Sequence, residues 1–335
     1  MAKRQDDSAN SAPGAPPIVA IGASAGGLAA YEAFFKAAPS RMGMAFVLVP
    51  HLDPRRHSLM VDLVSKYTAM PVAQAVDGQA VKPDHVYIIP PDRYLSIADG
   101  VLRLHQPKEP RGLRMAIDFS FRSLAESARE RAVAIILSGT GTDGTQGLKA
   151  VKGNGGMAMV QEPGSAQHDG MPRSAIRSGV VDFVLPPAGM PEVLRQYVQH
   201  QYVRAADVAV PQTGTREQDI EAVLSIIRAR TRHDFRRYKR GTVLRRVQRR
   251  MGLRQMHRMS DYLTLLRRDA TEVSQLFDDL LIGVTQFFRE PDYGIGLTLG
   301  LSRGQWLSFV LFVFGIGMVI FASRRKVEPM GGWLK

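Results

Sequence analysis

The chain has 335 residues, 45% of them hydrophobic, and a formal charge of +13 from 44 lysines and arginines against 31 acidic residues. That length suits one large core plus a smaller unit, and the absence of cysteine excludes disulfides, thiolate metal sites and a cysteine nucleophile. The positive charge is concentrated between Arg228 and Arg268, and outside that stretch the two signs nearly balance, so the basic character belongs to one module and one partner surface.

Residues 1–16 are polar, rich in Ala, Ser and Pro, and lack the apolar stretch of a signal peptide. They read as a disordered arm, and the expected location is the cytoplasm. From Pro17 to about residue 200, short Val/Ile/Leu runs alternate with helical patterns and Gly/Pro turns. The expected strands cover 17–22, 45–49, 86–89, 133–137, 157–160 and 181–184, with a hairpin over 95–104 that turns at Asp99-Gly100. That succession predicts a doubly wound α/β domain with a mostly parallel sheet over 17–200. Residues 201–215 read as a linker, and 216–292 show only helical periodicity, which predicts a small all-α domain. The remainder, 293–335, is an apolar tail in which 304–322 carries no charge and is long enough to be a candidate membrane helix. Arg324-Arg325-Lys326 follows it, which opposes the positive-inside tendency unless the basic helical module outweighs it.

Three strand ends carry chemistry: Ile18-Val-Ala-Ile-Gly-Ala-Ser24-Ala-Gly-Gly27, Phe46-Val-Leu-Val-Pro-His51 and Val133-Ala-Ile-Ile-Leu-Ser-Gly-Thr-Gly-Thr-Asp143-Gly. An open parallel sheet gathers its functional groups at the carboxyl ends of its strands, so a serine, a histidine and an aspartate there point to hydrolysis. The glycine-rich turn has neither dinucleotide-loop nor phosphate-loop spacing. Its serine sits at the tip of a strand-to-helix turn, where helix N-terminal amides could hold an oxyanion; a plain N-cap for a helix over 28–38 is the competing role. Among His51, His57, His85 and His168, only His51 directly ends a buried strand, the position a general base needs. Asp143 could orient that histidine, cap a helix over 146–152, or bind a divalent cation, although no second carboxylate cluster favours the metal. The order Ser, His, Asp differs from that of α/β-hydrolases, and the turn is not their G-x-S-x-G elbow.

With Val49-Pro-His-Leu-Asp-Pro54 and Gly170-Met-Pro-Arg-Ser-Ala175 added, residues 17–200 resemble the catalytic domain of chemotaxis protein-glutamate methylesterases. Ala25 stands where many members carry threonine. The resemblance implies that Ser24 attacks the γ-glutamyl methyl ester of a receptor, that His51 is the general base and that Asp143 orients the imidazolium. Ala25, Gly26 and Met171 are the expected oxyanion and substrate contacts, and no metal or cofactor is implied.

Tyr238-Lys-Arg-Gly-Thr-Val-Leu-Arg-Arg-Val-Gln-Arg-Arg250 and Leu280-Leu-Ile-Gly-Val-Thr-Gln-Phe-Phe-Arg-Glu-Pro291 resemble the N-terminal helical domain of the chemotaxis receptor methyltransferase. Fusions of the two enzymes, often continuing into a sensor kinase, form a family. On a helix, Val243, Val247 and Met251 share one face, leaving Arg245, Arg246, Arg249 and Arg250 for the others, an arrangement that suits an acidic receptor surface or a merely solvated face. Nucleic acid is a poor fit because no stacking aromatics are interleaved. Thr285 and Arg289 match family contacts to S-adenosylmethionine. The resemblance stops near Asp292, before the domain that would hold this donor, so methyl transfer is not expected, and nothing before Pro17 matches a phosphate-accepting receiver domain. Residues 300–322 weakly resemble the last membrane helix of prolipoprotein diacylglyceryl transferases, which suggests a truncated or chimeric reading frame with a membrane anchor as the alternative. A catalytically silent receptor-docking adaptor, and esterase action on another methyl ester, are the rival functions.

Overall fold

The computed structural model describes residues 15–51, 59–110, 113–204 and 217–289. The strands are β1 (Ile18–Ala23), β2 (Ala45–Pro50), β3 (Val72–Gln74), β4 (Val86–Ile88), β5 (Tyr94–Ala98), β6 (Val101–His105), β7 (Ala132–Ile136), β8 (Met157–Gln161) and β9 (Phe183–Leu185). Seven of them form a parallel sheet in the order β3-β4-β2-β1-β7-β8-β9, and β5 and β6 pair as an antiparallel hairpin. All six expected strands of the parallel sheet are present within two residues at either end. The hairpin turns at Asp99 and Gly100, both at positive φ, as a tight two-residue connection requires.

The helices of the α/β part are α1 (Gly27–Ala37), α2 (Met60–Val64), α3 (Ala116–Ala128), α4 (Thr145–Gly153), α5 (Gly170–Arg177) and α6 (Met190–Gln199). They cover both faces, so β1, β2, β7 and β8 are buried throughout and read as unbroken apolar runs. Alternate side chains serve opposite layers. Ala20, Val47, Ala134 and Ile136 pack with Ile117, Phe121 and Leu148. Val19, Ile21, Phe46 and Ile135 pack with Tyr31, Phe34, Leu194 and Tyr197. Each fully buried Val, Leu, Ile or Phe side chain among them contributes about 1.5–3 kcal/mol. In this sheet the chain order reverses direction between β1 and β7, the switch point where an open α/β sheet leaves a crevice.

A short helix, α7 (Gln201–Arg204), occupies the start of the expected linker, and residues 205–216 lie outside the described residues. The expected helical domain follows as α8 (Glu217–Thr231), α9 (Arg240–Leu253), α10 (Met259–Arg268) and α11 (Ala270–Arg289). Residues up to Leu280 form one compact unit and Leu281 onward a second. Among the described residues no helix is long and apolar enough to cross a membrane; the candidate span 304–322 lies outside them, as does the N-terminal arm up to residue 14.

The row of arginines on α9 departs from expectation. Arg246, Arg249 and Arg250 are 8%, 0% and 4% exposed, so they cannot form a receptor-facing surface. The valines of the helix are buried as well, because α9 is covered on more than one side. Arg249 donates to the Gly156 carbonyl and to the carboxylates of Asp182 and Asp279, the latter at 2.6 Å. Lys152 stands 3.1 Å from Asp279 and 3.4 Å from Asp182. Arg246 donates to the carbonyls of Lys152 and Gly153, which end α4. Arg250 forks onto Glu272, which also accepts from Arg254 and Tyr262. Burial by itself lowers the affinity of the Arg249 guanidinium for its proton, but the two facing carboxylates outweigh burial and hold its pKa well above the usual value. Of the four, Arg245 alone is at the surface, 3.5 Å from Glu130.

Candidate active site

β1 ends in a turn that its neighbours fix on both flanks. The Ser24 amide donates to the Ser138 carbonyl at 2.9 Å, and the His51 amide donates to the Ala23 carbonyl at 3.0 Å. Because Ala23 pairs with Pro50 in the parallel register, the next residues, Ser24 and His51, stand side by side on adjacent strands, about 5 Å apart. Gly27 donates to the Ser24 carbonyl, which closes the turn into α1. Gly26, not Ser24, occupies the N-cap, and no side chain caps the helix. Gly26 sits at φ 74°, and a Cβ there would meet the Ser138 hydroxyl at 2.7 Å, so glycine is needed both for conformation and for space. Among the described residues no protein group accepts from the Ala25 and Gly26 amides. Within the described residues these two donors are unengaged at the start of α1.

His51 Nε2 lies 2.8 Å from Asp143 Oδ2, joining two positions 92 residues apart. The His51 side chain is 35% exposed and that of Asp143 only 4%, so the aspartate is the buried end of the pair and the imidazole faces the crevice. With Nε2 engaged, Nδ1 is the nitrogen left for a serine. Asp143 also accepts from the Ile117 amide at 3.0 Å and from the Asp118 amide at 2.9 Å, both in the first turn of α3. Asp143 therefore caps α3 rather than α4, whose N-cap is Gly144.

Met171 is fully buried at the start of α5, where its amide donates to the Gly139 carbonyl at 2.9 Å. A Cβ on Gly139 would fall 2.2 Å from Met171 Sδ and 3.0 Å from Ser24 Cβ, so Met171 and Ser24 approach each other across a bare Cα. The structure thus brings together Ser24, Ala25, Gly26, His51, Asp143 and Met171. His85 instead turns back onto the Pro83 carbonyl, and His168 takes part in the site region through its backbone. His57 lies outside the described residues, and Thr285 and Arg289 fall on the last turns of α11, where the side chains lie outside them as well.

Two supporting residues were not singled out in the sequence. Ser138, 1% exposed, donates its hydroxyl to the Ala25 carbonyl at 2.8 Å and accepts from the His168 amide at 3.0 Å, stitching the serine turn to the 168–171 segment. Its signal is a small polar residue directly after a buried run. Asp118 accepts from the Gly147 amide at 2.7 Å, tying α3 to α4, and nothing local marks it. Burial, then the negative charge of Asp143, push its carboxyl up to about 6 from an ordinary 3.8. A raised pKa means that Asp118 adds stability at acidic pH, below about 4, and that this is lost as pH rises through about 6. Asp118→Asn is therefore expected to gain stability relative to the wild type, by about 3 kcal/mol, between pH 4 and pH 8. Urea midpoints at the two pH values measure it, and a difference independent of pH would contradict the assignment.

A strand-end serine beside an aspartate-oriented histidine, at the switch point of a doubly wound sheet, is the arrangement of a serine-type carboxylic ester hydrolase. Residues 19–194 match the family model described as CheB methylesterase, and residues 218–281 match that described as the CheR methyltransferase all-alpha domain. The chain belongs to the CheB methylesterase family. It is 32% identical over 185 residues to a protein of Thermotoga maritima named protein-glutamate methylesterase/protein-glutamine glutaminase, covering 54% of each chain. It is 37% identical over 253 residues to a 104.1 kDa protein of Rhodobacter capsulatus, covering 70% of this chain and 26% of that one. The crystal structure of the Thermotoga maritima CheB methylesterase catalytic domain superposes with a TM-score of 0.51 at 32% identity, over 54% of this chain and 97% of that domain. The chain thus spans about half of the Thermotoga relative and a quarter of the Rhodobacter one.

Proposed function

We propose that this protein hydrolyses γ-glutamyl methyl esters on methylated chemotaxis receptors or similar signalling proteins. The observation that carries the reading is the 2.8 Å His51–Asp143 contact beside Ser24. Ser24 Oγ attacks the ester carbonyl carbon while His51 Nδ1 takes its proton, and Asp143 holds the Nε2 proton and balances the imidazolium charge. The carbonyl oxygen becomes an oxyanion that the Ala25 and Gly26 amides are placed to receive. His51 returns the proton to the methoxide, methanol leaves, and water activated by the same base frees the glutamate and restores Ser24. Met171 would line the space beside the serine.

The relatives named as paired methylesterase and glutaminase favour a second use of the same acyl-enzyme, deamidation of a receptor glutamine with ammonia as the leaving group. Methanol release from a methylated receptor peptide and ammonia release from its glutamine counterpart, each compared with a Ser24→Ala control, test both. Equal release by wild type and control would leave the silent receptor-docking adaptor. A higher rate on small methyl esters than on the receptor peptide would move the substrate elsewhere.

A further inference from the structure

A second cavity lies at the far end of the molecule, where the helical module meets the α/β part. It has a volume of about 310 Å³ and is lined by Arg129, Gly153, Asn154, Lys239, Gly241, Thr242, Arg245 and Arg246. Four of these residues are cationic and none is acidic; the nearby carboxylate is Glu130, 3.5 Å from Arg245. Arg246 is 8% exposed, and its two terminal nitrogens bond only to the neutral carbonyls of Lys152 and Gly153. Among the described residues, Arg129 and Lys239 have no carboxylate partner.

Two further observations point to a ligand. Arg129 holds φ 48° and ψ −113°, a conformation that a residue with a side chain adopts only under constraint, and such strain gathers at binding sites. At the other wall, Gly241 stands in the first turn of the 14-residue helix α9, and a Cβ there would meet nothing within 4 Å. Unbalanced guanidinium and ammonium groups lining one polar cavity beside the start of a helix are what a multiply charged phosphate group binds to. No aromatic residue lines the cavity, so a base would find nothing to stack on.

We infer that this cavity is a binding site for a compact phosphate-bearing anion, with Arg129, Lys239, Arg245 and Arg246 as its charged contacts. The ligand is read through its phosphates. Occupation would bridge α9 to the strained turn at Arg129 and so clamp the two parts together.

The test is calorimetric titration of the full chain with pyrophosphate, ATP and citrate. Pyrophosphate is expected to bind with 1:1 stoichiometry, ATP no more than a few-fold tighter, and citrate at least tenfold more weakly. Arg129→Ala and Lys239→Ala should each weaken pyrophosphate binding about tenfold. Gly241→Glu fills the open space with a negative charge at a helix position that welcomes one, so it should abolish binding while leaving the melting temperature unchanged. Lys66→Ala, an exposed lysine on the α/β part, should have no effect. Absence of pyrophosphate binding, equal binding of citrate, unchanged binding in Gly241→Glu, or equal weakening by Lys66→Ala would each overturn the inference. ATP binding far tighter than pyrophosphate would overturn readout through phosphates alone.

Discussion

Ser24→Ala is expected to lower kcat for methyl-ester hydrolysis by roughly 10⁴- to 10⁶-fold, with little change in the affinity for substrate. The alanine keeps the turn, since the Ser24 backbone amide rather than its side chain makes the bond to Ser138. Only the nucleophile is lost. Asp143→Asn should cost about 10⁴ in kcat for a different reason: the amide would present either its NH₂ to His51 or its carbonyl, and cannot serve the imidazole and both α3 amides equally well. Combining the two should cost little more than Ser24→Ala alone, because groups that act in one proton transfer are not additive. Methanol release under single-turnover conditions measures all three proteins. Residual activity above about 1% in Ser24→Ala would place the nucleophile elsewhere.

Arg249→Met is expected to destabilise the protein by about 3–5 kcal/mol. The methionine fits the space of the aliphatic stem but leaves Asp182 and Asp279, both sealed from solvent, facing each other with Lys152 as their remaining counter-charge. Two dry carboxylates sharing one cation cannot both stay ionised at neutral pH without a large penalty. The double variant Arg249→Met, Asp182→Asn should recover most of the loss, because Lys152 then faces Asp279 alone and no buried charge is left uncompensated. Chemical denaturation compares the three. A loss below about 1 kcal/mol in Arg249→Met would show that the buried ion cluster does not hold the helices to the sheet.

How much of this could be read from residues alone follows from what each inference depends on. The strands of the parallel sheet were legible because burial on both faces leaves a continuous apolar word in the sequence, and the candidates Ser24 and His51 stood out because each directly follows such a word, while Asp143 lies at the end of a glycine-rich turn after one. β3 was not, since Val72-Ala-Gln74 is a short edge strand, half-buried to exposed, with nothing to set it apart from a loop. The competing cap roles of Ser24 and Asp143 do not hold, because Gly26 and Gly144 occupy those N-caps and the amides that Asp143 accepts from belong to α3, 25 residues upstream, which no local pattern reveals. The arginines of α9 failed for the same physical reason on a larger scale. A single apolar stripe predicts one buried face, but α9 is wedged between other helices and the α/β part, and whether an arginine there is solvated or sealed depends on Asp182, Glu272 and Asp279, which no periodicity connects to it.

The buried arginine cluster meets the sheet where β8 and β9 begin, at Gly156 and Asp182, whereas Ser24 and Asp143 follow the places where β1 and β7 end. Strands of five or six residues separate the two levels by about 17–20 Å. The buried arginines nearest the sheet are balanced by Asp182, Asp279 and Glu272, and the exposed charges of the module act through solvent, where a Debye length of about 8 Å puts more than two screening lengths before the serine. The most conspicuous number in the composition, a net charge of +13, is therefore almost silent where the ester would be cut. The candidate crevice experiences the field of Asp143, Asp118 and the α3 dipole, and the charge that dominates a titration of the whole protein belongs to another end of the molecule and to other encounters.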